Sequence, residues 1–254
     1  KKYVPKKQTS VKRIIHLLSF SMSSFFSLIL KIKWKPDVII VIAPSLFCAP
    51  GALLISKITR AKSVLHVQDF EIDAMFGLGM MQKGYLSKLL LSVEKKILQK
   101  FDLVSSISKK MVQTLQDKGV DKQKTYFFPN WVDINFINPN NYSPAFKEDL
   151  IGINNCRIVL YSGNIGNKQG LEILHEVASQ FNHDPTIKFV ICGSGASKKD
   201  LVKLFNKKKV KNVLFHDLFP YEQLPNLINS ADVHLVIQKK GTADAFLPSK
   251  LSTI

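Results

Sequence analysis

A glycine-rich loop with a single lysine follows a short apolar run beyond the middle of the chain. The run ends at Tyr161, and the loop then carries Gly163, Gly166 and Lys168 before Gly170 opens a helical pattern. Glycines let a ligand approach the backbone, the start of a helix offers free N–H groups, and the lysine adds a positive charge. Together these features suit a diphosphate. The spacing matches neither a Walker P-loop nor the GxGxxG fingerprint, so an ordinary strand-to-helix turn stays open as the alternative.

Two further units of the same kind follow along the chain. In the first, an apolar run from Phe189 to Cys192 leads into Gly193 and Gly195, ahead of a helical pattern with Ser197 at its cap. In the second, an apolar run ends in the turn-forming sequence HDLFP. Sheets of parallel strands bind ligands at the carboxyl ends of the strands. The glycine turns are therefore expected to converge on one ligand site.

The elements that must position these turns are short apolar runs alternating with amphipathic helical patterns. Runs that are apolar without alternation suit strands buried on both faces, which is typical of a parallel sheet. Helical stripes between them, such as the one from Leu171 to Phe181, complete repeated β-α-β units. The sequence therefore predicts an α/β fold with helices on both sheet faces. The predicted strands are Asp37–Ala43, Ser63–Val67, Leu103–Ile107, Thr125–Phe128, Arg157–Tyr161, Ile187–Cys192, Val213–Phe215 and Val233–Ile237.

A stretch rich in turn-forming residues separates two such sets of units. It lies between Asn135 and Asn155, and a fresh strand pattern begins at Arg157. Compact domains are joined by polar linkers of this kind. We therefore expect a first Rossmann-like domain over residues 1–143, a second over residues 144–254, and a ligand cleft between them.

Composition narrows the class of partner. The 254 residues carry a net charge of +17, and the three cysteines are far apart without a CxxC pair. The cysteine spacing offers no disulfide framework or metal site, which favours a reducing, cytoplasmic setting. A basic surface suits nucleic acid, anionic lipid or phosphorylated substrates, with mere compositional bias as the alternative. Because no nucleic-acid motif accompanies the lysines, we expect no nucleic-acid partner and favour a lipid surface.

The N-terminal region supports the lipid interpretation. The apolar stretch Ile14–Leu30 is diluted by His16 and several serines, so it predicts a buried or interfacial amphipathic helix better than a membrane span. Peripheral attachment to the inner face of the cell membrane is expected through Lys1–Lys7 and Lys31–Lys35, with the helix Leu86–Lys100 as a further contact. The first residue is not Met and the last lies in an apolar pattern, which we interpret as a fragment lacking both ends.

The order of motifs resembles the retaining family 4 glycosyltransferases. The motifs are KPDVI at 35–39, HVQDFE at 66–71 and FPNWVD at 128–133, where Trp131 replaces the usual glycine, followed by the glycine units described above. Within that family the chain is similar to the colanic-acid and capsule-polysaccharide branch, through its QDFE segment, its GxKQG-type loop and PSK at 248–250. The resemblance covers nearly the whole chain. It implies the GT-B fold, in which two Rossmann-like domains with parallel sheets face each other across a cleft.

The resemblance also assigns candidate residues. The family usually has Arg at Asn164 and Lys at Gln169, so Lys168 is the cation that this loop retains. Its Glu-x7-Glu pair falls at Ala245 and Thr253, and the adjacent Asp244 is the partial substitute. The donor-binding candidates are Gly163, Asn164, Lys168, Gly193, Gly195, Ser249 and Lys250, the catalytic candidates are Asp69 and Asp244, and the acceptor-side candidates are Gln68 and Glu71.

The implied reaction is transfer of a sugar from a nucleotide-diphosphate sugar to a lipid-linked oligosaccharide or polysaccharide precursor. The resemblance implies retention of configuration and a metal-independent mechanism, and we expect no cofactor besides the donor substrate. Fixed dipoles and lysine charge would stabilise the leaving diphosphate. Two alternatives stay open: an inactive partner subunit of the same fold, which the missing Glu-x7-Glu pair favours, and UDP-sugar epimerase or phosphorylase chemistry in a GT-B fold.

Overall fold

The computed structural model describes residues 10–43, 46–70, 72–73, 84–140, 142–152, 156–239 and 247–254. These residues form two compact units. The first comprises the described residues up to 129 together with Leu247, and the second comprises those from 130 to 239 together with 248–254. Of the residues singled out from the sequence, Glu71, Asp244 and the basic segment Lys1–Lys7 lie outside the described part of the chain.

The first unit is built on a parallel sheet with the order β1-β2-β3-β4. Successive strands are neighbours, and helices connect them along the chain. The elements are α1 (Ser10–Leu30), β1 (Val38–Ala43), α2 (Ala49–Thr59), β2 (Lys62–Val67), α3 (Tyr85–Leu98), β3 (Leu103–Ser106), α4 (Lys109–Asp117) and β4 (Thr125–Phe127), with 3₁₀ turns at Ile32–Trp34, Leu46–Cys48 and Lys122–Lys124.

The second unit has a parallel sheet with the order β7-β6-β5-β8, so β5 lies inside the sheet between β6 and β8. The elements are α5 (Pro144–Ile151), β5 (Arg157–Ser162), α6 (Leu174–Gln180), β6 (Ile187–Cys192), α7 (Lys198–Lys207), β7 (Val213–His216), α8 (Leu224–Asn229) and β8 (Val233–His234), with 3₁₀ turns at Leu171–Ile173, Tyr221–Gln223 and Ser249–Ser252. The predicted α/β class is confirmed, and each predicted strand has its counterpart.

The central strands of the second sheet bury both faces. Along β5, Ile158 and Leu160 belong to the core beneath α5 and α8, whereas Tyr161 belongs to the core beneath α6 and α7. Each fully buried Leu or Ile side chain stabilises the fold by about 1.5–3 kcal/mol. The backbone just after β5 is therefore held from two sides, which makes the carboxyl end of this strand a rigid base for a site.

The prediction that strands are buried on both faces is wrong for β1. Its residues alternate, with Ile39, Val41 and Ala43 buried while Ile40 and Ile42 are 64% and 59% exposed. The strand lies at the edge of its sheet. In the part of the chain that the structure describes, its core contacts are therefore made through one face alone.

The linker packs on the second unit. The ring of Phe136 stacks on Tyr221 with centroids 4.5 Å apart, and the Ser143 amide donates a 2.8 Å hydrogen bond to the Asn226 side chain. The sequence analysis assigned residues up to 143 to the first domain. These contacts explain why the compact units divide instead after Pro129.

Helix α1 presents an apolar stripe to solvent. Leu18, Met22 and Phe26, spaced by four positions, are 44–62% exposed, while Phe25 and Leu28 pack against the core of the first unit. No described helix has the length and hydropathy needed to cross a membrane. The helix thus carries apolar residues on its outward face as well as its inward one.

Candidate functional site

The turns that follow β5 and β6 interlock through their backbones. The Gly163 amide donates a 2.9 Å hydrogen bond to the Cys192 carbonyl, and the Ile165 amide donates a 2.8 Å bond to the Ser194 carbonyl. A Cβ atom on Gly193 would lie 1.9 Å from the Gly163 carbonyl oxygen. Only glycine allows this approach, so the two turns act as one backbone surface at the carboxyl edge of the sheet.

Asn164 and Gly195 belong to the same surface. A Cβ on Gly195 would lie 2.2 Å from the Ile165 carbonyl oxygen and 2.8 Å from the Asn164 side-chain oxygen. The Ser197 hydroxyl donates to the side chain of Asn167 at 2.8 Å and makes no capping bond to α7, contrary to the cap that the sequence suggested. The hydroxyl thus ties the second turn to the first.

Lys250 brings a cation to this surface from the last 3₁₀ turn. Its Nζ lies 3.6 Å from the centroid of the Tyr161 ring. A Cβ on Gly163 would be 3.5 Å from the same Nζ, so the ammonium lies directly beside the glycine turn. The predicted neighbours Gly163, Gly193 and Lys250 therefore lie together.

The ammonium of Lys250 is buried and has no hydrogen-bond partner among the residues that the structure describes. Burial lowers its pKa from 10.5 to about 8. An ammonium group carries three N–H donors, and leaving buried donors unsatisfied is costly. The cation–π contact with the face of the Tyr161 ring offsets part of this cost, since such a contact contributes about 2 kcal/mol when the pair is desolvated. An anion beside Gly163 would satisfy the remaining donors.

Tyr161 supplies the ring against which Lys250 lies. Its side chain is fully buried, and its hydroxyl donates a 2.7 Å hydrogen bond to the Asn164 carbonyl. Burial raises the pKa of this phenol to about 12, so it stays neutral in the physiological range. No role for Tyr161 was predicted from the sequence. Its place directly before the glycine turn was the available signal.

Lys198 holds the neighbouring strand ends together. Its Nζ donates to the backbone carbonyls of Gly193 at 2.8 Å and His216 at 2.7 Å, and pairs with the exposed Asp217 carboxylate at 2.6 Å. The hydrogen bond from Lys198 lowers the pKa of Asp217. Unlike Lys250, this lysine has its donors matched by protein oxygens. Sequence reasoning missed this role.

The other donor-side candidates lie close by in the chain. Lys168 is in the turn after β5, and its backbone carbonyl accepts a 3.0 Å bond from the Lys239 amide. The Gln169 side chain accepts from the Gly166 amide at 3.2 Å. Ser249 is exposed and begins the turn that carries Lys250. Lys168 thus sits on the same loop as Gly163, while Ser249 sits on the same turn as Lys250.

In the first unit, the candidates Gln68 and Asp69 follow directly after β2. The Gln68 amide donates to the Ala43 carbonyl at 3.4 Å, which extends the pairing of β1 and β2 by one bond. His66 is 8% exposed, and its Nδ1 lies 2.9 Å from the Ser105 hydroxyl. Burial lowers the pKa of His66. This geometry makes His66 a packed core residue.

A buried ion cluster lies next to that segment. Lys118 Nζ is 2.7 Å from an Asp73 oxygen and 2.6 Å from a Glu94 oxygen, and it lies 5.3 Å from the Phe70 ring centroid. Glu94 is 5% exposed. Burial is the main cause that raises the pKa of Glu94, although Lys118 opposes it. Asp73 is therefore anchored to the unit.

Comparison with known proteins extends over the whole chain. Residues 4–131 match the family described as "Glycosyl transferase 4-like domain", and residues 146–242 match "Glycosyl transferases group 1". The chain is 44% identical to the putative colanic acid biosynthesis glycosyl transferase WcaI of Escherichia coli K12, over 99% of the chain and 63% of that protein. It thus spans less than two thirds of this relative.

Solved structures share the fold at low sequence identity. Anabaena Alr3699/HepE, solved in complex with UDP, superposes with a TM-score of 0.64 at 18% identity, covering 91% of this chain and 59% of that one. A glycosyltransferase from Rickettsia africae ESF-5 superposes with a TM-score of 0.64 at 14% identity, covering 92% and 59%. These likenesses extend across both parallel sheets.

Proposed function

Because the chain belongs to the family 4 glycosyltransferases, we propose that it binds a nucleotide-diphosphate sugar through its second unit and takes part in transferring the sugar. The observation that carries the donor site is the ammonium of Lys250, which is buried beside Gly163 without a hydrogen-bond partner in the described chain. The proposed donor-binding residues are Gly163, Asn164, Lys168, Gly193, Gly195, Ser249 and Lys250.

Diphosphate chemistry fits these residues. Backbone amides at a glycine turn and lysine cations are the groups that bind phosphate oxygens. A negative ligand next to Lys250 would favour its charged form and raise its pKa again. In the transfer step, charge develops on the leaving diphosphate, and a fixed cation at that place stabilises it. The structure of HepE with UDP supports a nucleoside diphosphate as the class of ligand.

The acceptor is proposed to be a lipid-linked oligosaccharide or polysaccharide precursor. The similarity to WcaI, whose name assigns it to colanic acid biosynthesis, supports polysaccharide assembly. Asp69, with Asp244 as the second candidate, is the proposed catalytic carboxylate, and Gln68 and Glu71 are proposed on the acceptor side. Transfer with retention of configuration and without a metal ion belongs to the same proposal.

Peripheral attachment to an anionic membrane follows from the charge of the N-terminal region. Lys or Arg occupies nine of the first 36 positions and Asp or Glu none. Lys31, Lys33 and Lys35 follow directly after α1, and the latter two flank the exposed Trp34. Each basic residue near an anionic lipid surface contributes about 1 kcal/mol. Attachment at the inner face of the cell membrane would bring the donor site near a lipid-linked acceptor.

Sedimentation with liposomes tests the membrane proposal. The full-length protein should bind vesicles containing anionic lipid at low salt and be released at high salt, because the Debye length falls from about 10 Å at 0.1 M to about 3 Å at 1 M. Vesicles of neutral lipid are the control. Retention until detergent is added, or no binding at low salt, would contradict peripheral electrostatic attachment.

Calorimetric titration with UDP and GDP tests the donor site. In the full-length protein, Lys250→Met and Lys168→Ala should each weaken binding of the preferred diphosphate by about 1.5–3 kcal/mol, the contribution of a charge-assisted hydrogen bond. The exposed Lys199, on α7, provides the matched control as Lys199→Met. Failure of the wild-type protein to bind either diphosphate, or unchanged affinity in Lys250→Met, would contradict the proposal.

An inactive partner subunit is the second candidate. It is favoured by Ala245 and Thr253, which stand where the family has its two glutamates. Both candidates predict donor binding, so turnover separates them. Release of the nucleoside diphosphate from a panel of nucleotide sugars, with a lipid-linked acceptor present, supports the transferase. Binding without turnover across the panel supports the subunit.

A further inference from the structure

We propose that Tyr161 is a positioning residue of the donor site: its ring holds the Lys250 ammonium beside the glycine turn, and the ammonium keeps this contact when a nucleoside diphosphate binds. The inference rests on the proposed donor site and adds to it a residue that itself has no contact with the ligand. The observation is the 3.6 Å separation between Lys250 Nζ and the ring centroid.

The ring is suited to hold a flexible cation because it is itself immobile. Tyr161 lies on β5 with its side chain fully buried, packed in the core formed with α6 and α7. Its hydroxyl is fixed by the Asn164 carbonyl at 2.7 Å. A free lysine side chain loses roughly 2 kcal/mol of rotamer entropy when it is ordered. Ordering Lys250 before the ligand arrives removes part of that cost from binding.

The geometry leaves the ammonium able to contact both groups at once. The ring centroid lies 3.6 Å from Nζ, and a Cβ on Gly163 would lie 3.5 Å from Nζ. The face of an aromatic ring has no lone pair that could accept a conventional hydrogen bond. The N–H donors of Lys250 therefore stay without a hydrogen-bond partner in the described chain. A diphosphate oxygen that reached Nζ beside the glycine turn would therefore accept from these donors without displacing Nζ from the ring.

A second lysine, Lys198, shows why the effect of the ring can be separated from the effect of a nearby positive charge. Lys198 lies at the same sheet edge, but its Nζ is engaged by the Gly193 and His216 carbonyls and by Asp217. A diphosphate would have to break these bonds to engage Lys198. Among the described residues, the aromatic ring is the contact that holds the Lys250 ammonium, which has no hydrogen-bond partner there, so loss of the ring should act specifically through Lys250.

A double-mutant cycle on UDP affinity tests the inference in the full-length protein, with GDP in its place if GDP binds more tightly. Tyr161→Leu, which removes the aromatic face, should weaken binding by roughly five- to twentyfold, because part of the rotamer entropy of Lys250 is then lost on binding. Tyr161→Phe keeps the face and should stay within about threefold of wild type, because the exposed Asn164 can give its carbonyl to water. In a Lys250→Met background, Tyr161→Leu should have no further effect.

The outcomes separate this inference from the donor site itself. If wild type binds neither diphosphate, the proposed function fails. If wild type binds and Lys250→Met weakens binding, but Tyr161→Leu has the same effect in both backgrounds, Tyr161 is only structural and the inference is overturned. Equal losses in Tyr161→Phe and Tyr161→Leu overturn it as well.

A measurement on wild type covers the case in which Tyr161→Leu does not fold. Protons above an aromatic ring resonate upfield, so the Lys250 side-chain signals, identified by their absence in Lys250→Met, should lie upfield of the other lysines. They should remain there when UDP is added. Ordinary shifts in the free protein, or loss of the upfield shift on binding, would contradict the proposal.

Discussion

Two largely buried lysines, one in each unit, lie against aromatic rings but differ in what surrounds their charge. Lys118 in the first unit pairs with Glu94 and Asp73. Lys250 in the second unit has the Tyr161 ring and no hydrogen-bond partner in the described chain. The ion pairs outweigh the effect of burial and raise the pKa of Lys118, whereas burial alone lowers that of Lys250 to about 8.

The difference shows how a structural cation is distinguished from a cation available to a ligand. A buried charge whose partners belong to the same chain contributes to stability mainly because removal of one partner strands the other. A buried charge without a partner weakens the fold and gains when an external anion arrives. On this basis Lys118 anchors the segment after β2, and we propose that Lys250 serves a ligand. Replacing a buried lysine should therefore destabilise the protein more when its charge has more ionic or hydrogen-bonding partners in the chain.

The largest expected effect is that of Lys118→Met. The variant leaves Glu94, 5% exposed, without its cation. Breaking a buried ion pair in this way costs about 3 kcal/mol, the low end of the usual range, because Asp73 is partly solvated. Urea denaturation at pH 7 measures the loss. The double variant Lys118→Met/Glu94→Gln should recover part of the lost stability. If Lys118→Met lost less stability than Lys250→Met, the comparison between the two lysines would be contradicted.

An intermediate effect is expected for Lys198→Met. The variant removes hydrogen bonds to the carbonyls of Gly193 and His216, which join the ends of β6 and β7. Losing bonds donated by a charged group costs about 2 kcal/mol. The control is Asp217→Asn, which should leave stability nearly unchanged because the Asp217 side chain is 92% exposed. Equal losses in the two variants would show that the ion pair, and not the carbonyl bonds, matters.

The smallest effect, with the opposite sign, is expected for Lys250→Met. Its folded-state pKa of about 8 is below the ordinary 10.5, so the protonated form is penalised in the folded protein. This penalty is present at pH below about 8 and disappears as the pH rises through 10.5. Removing it should raise the free energy of unfolding at pH 7 by about 1 kcal/mol, since replacing unmatched buried charge is often stabilising. A clear loss of stability in denaturation curves would mean that Lys250 has a structural partner.

The fold was largely predictable because its signals are local. Continuous apolar runs such as the one in β6 mark buried strands, and the glycines at 163 and 193 mark turns that approach each other closely. The site was predictable only in part. The contact of Tyr161 with Lys250 joins residues far apart in the sequence and depends on how a 3₁₀ turn packs on the sheet.

Other features depend on tertiary surroundings in the same way. The Lys118–Asp73 pair joins positions 45 residues apart, and nothing in the local sequence of either residue indicates it. The exposed face of β1 was also missed, because an apolar edge strand and an apolar central strand have the same residue pattern. The linker residue Phe136 packs on Tyr221 through a contact that its turn-rich neighbourhood does not signal.

Proton uptake on UDP binding tests most directly whether Lys250 is the unmatched cation of a diphosphate site. Calorimetric titration of the full-length protein at pH 8, in two buffers of different ionisation enthalpy, gives the number of protons bound per ligand. Tyr161 stays neutral there because its pKa is about 12. With the pKa of Lys250 at about 8 in the free protein, wild type should take up about half a proton per UDP. Lys250→Met should take up none, and equal uptake in both proteins would contradict the assignment.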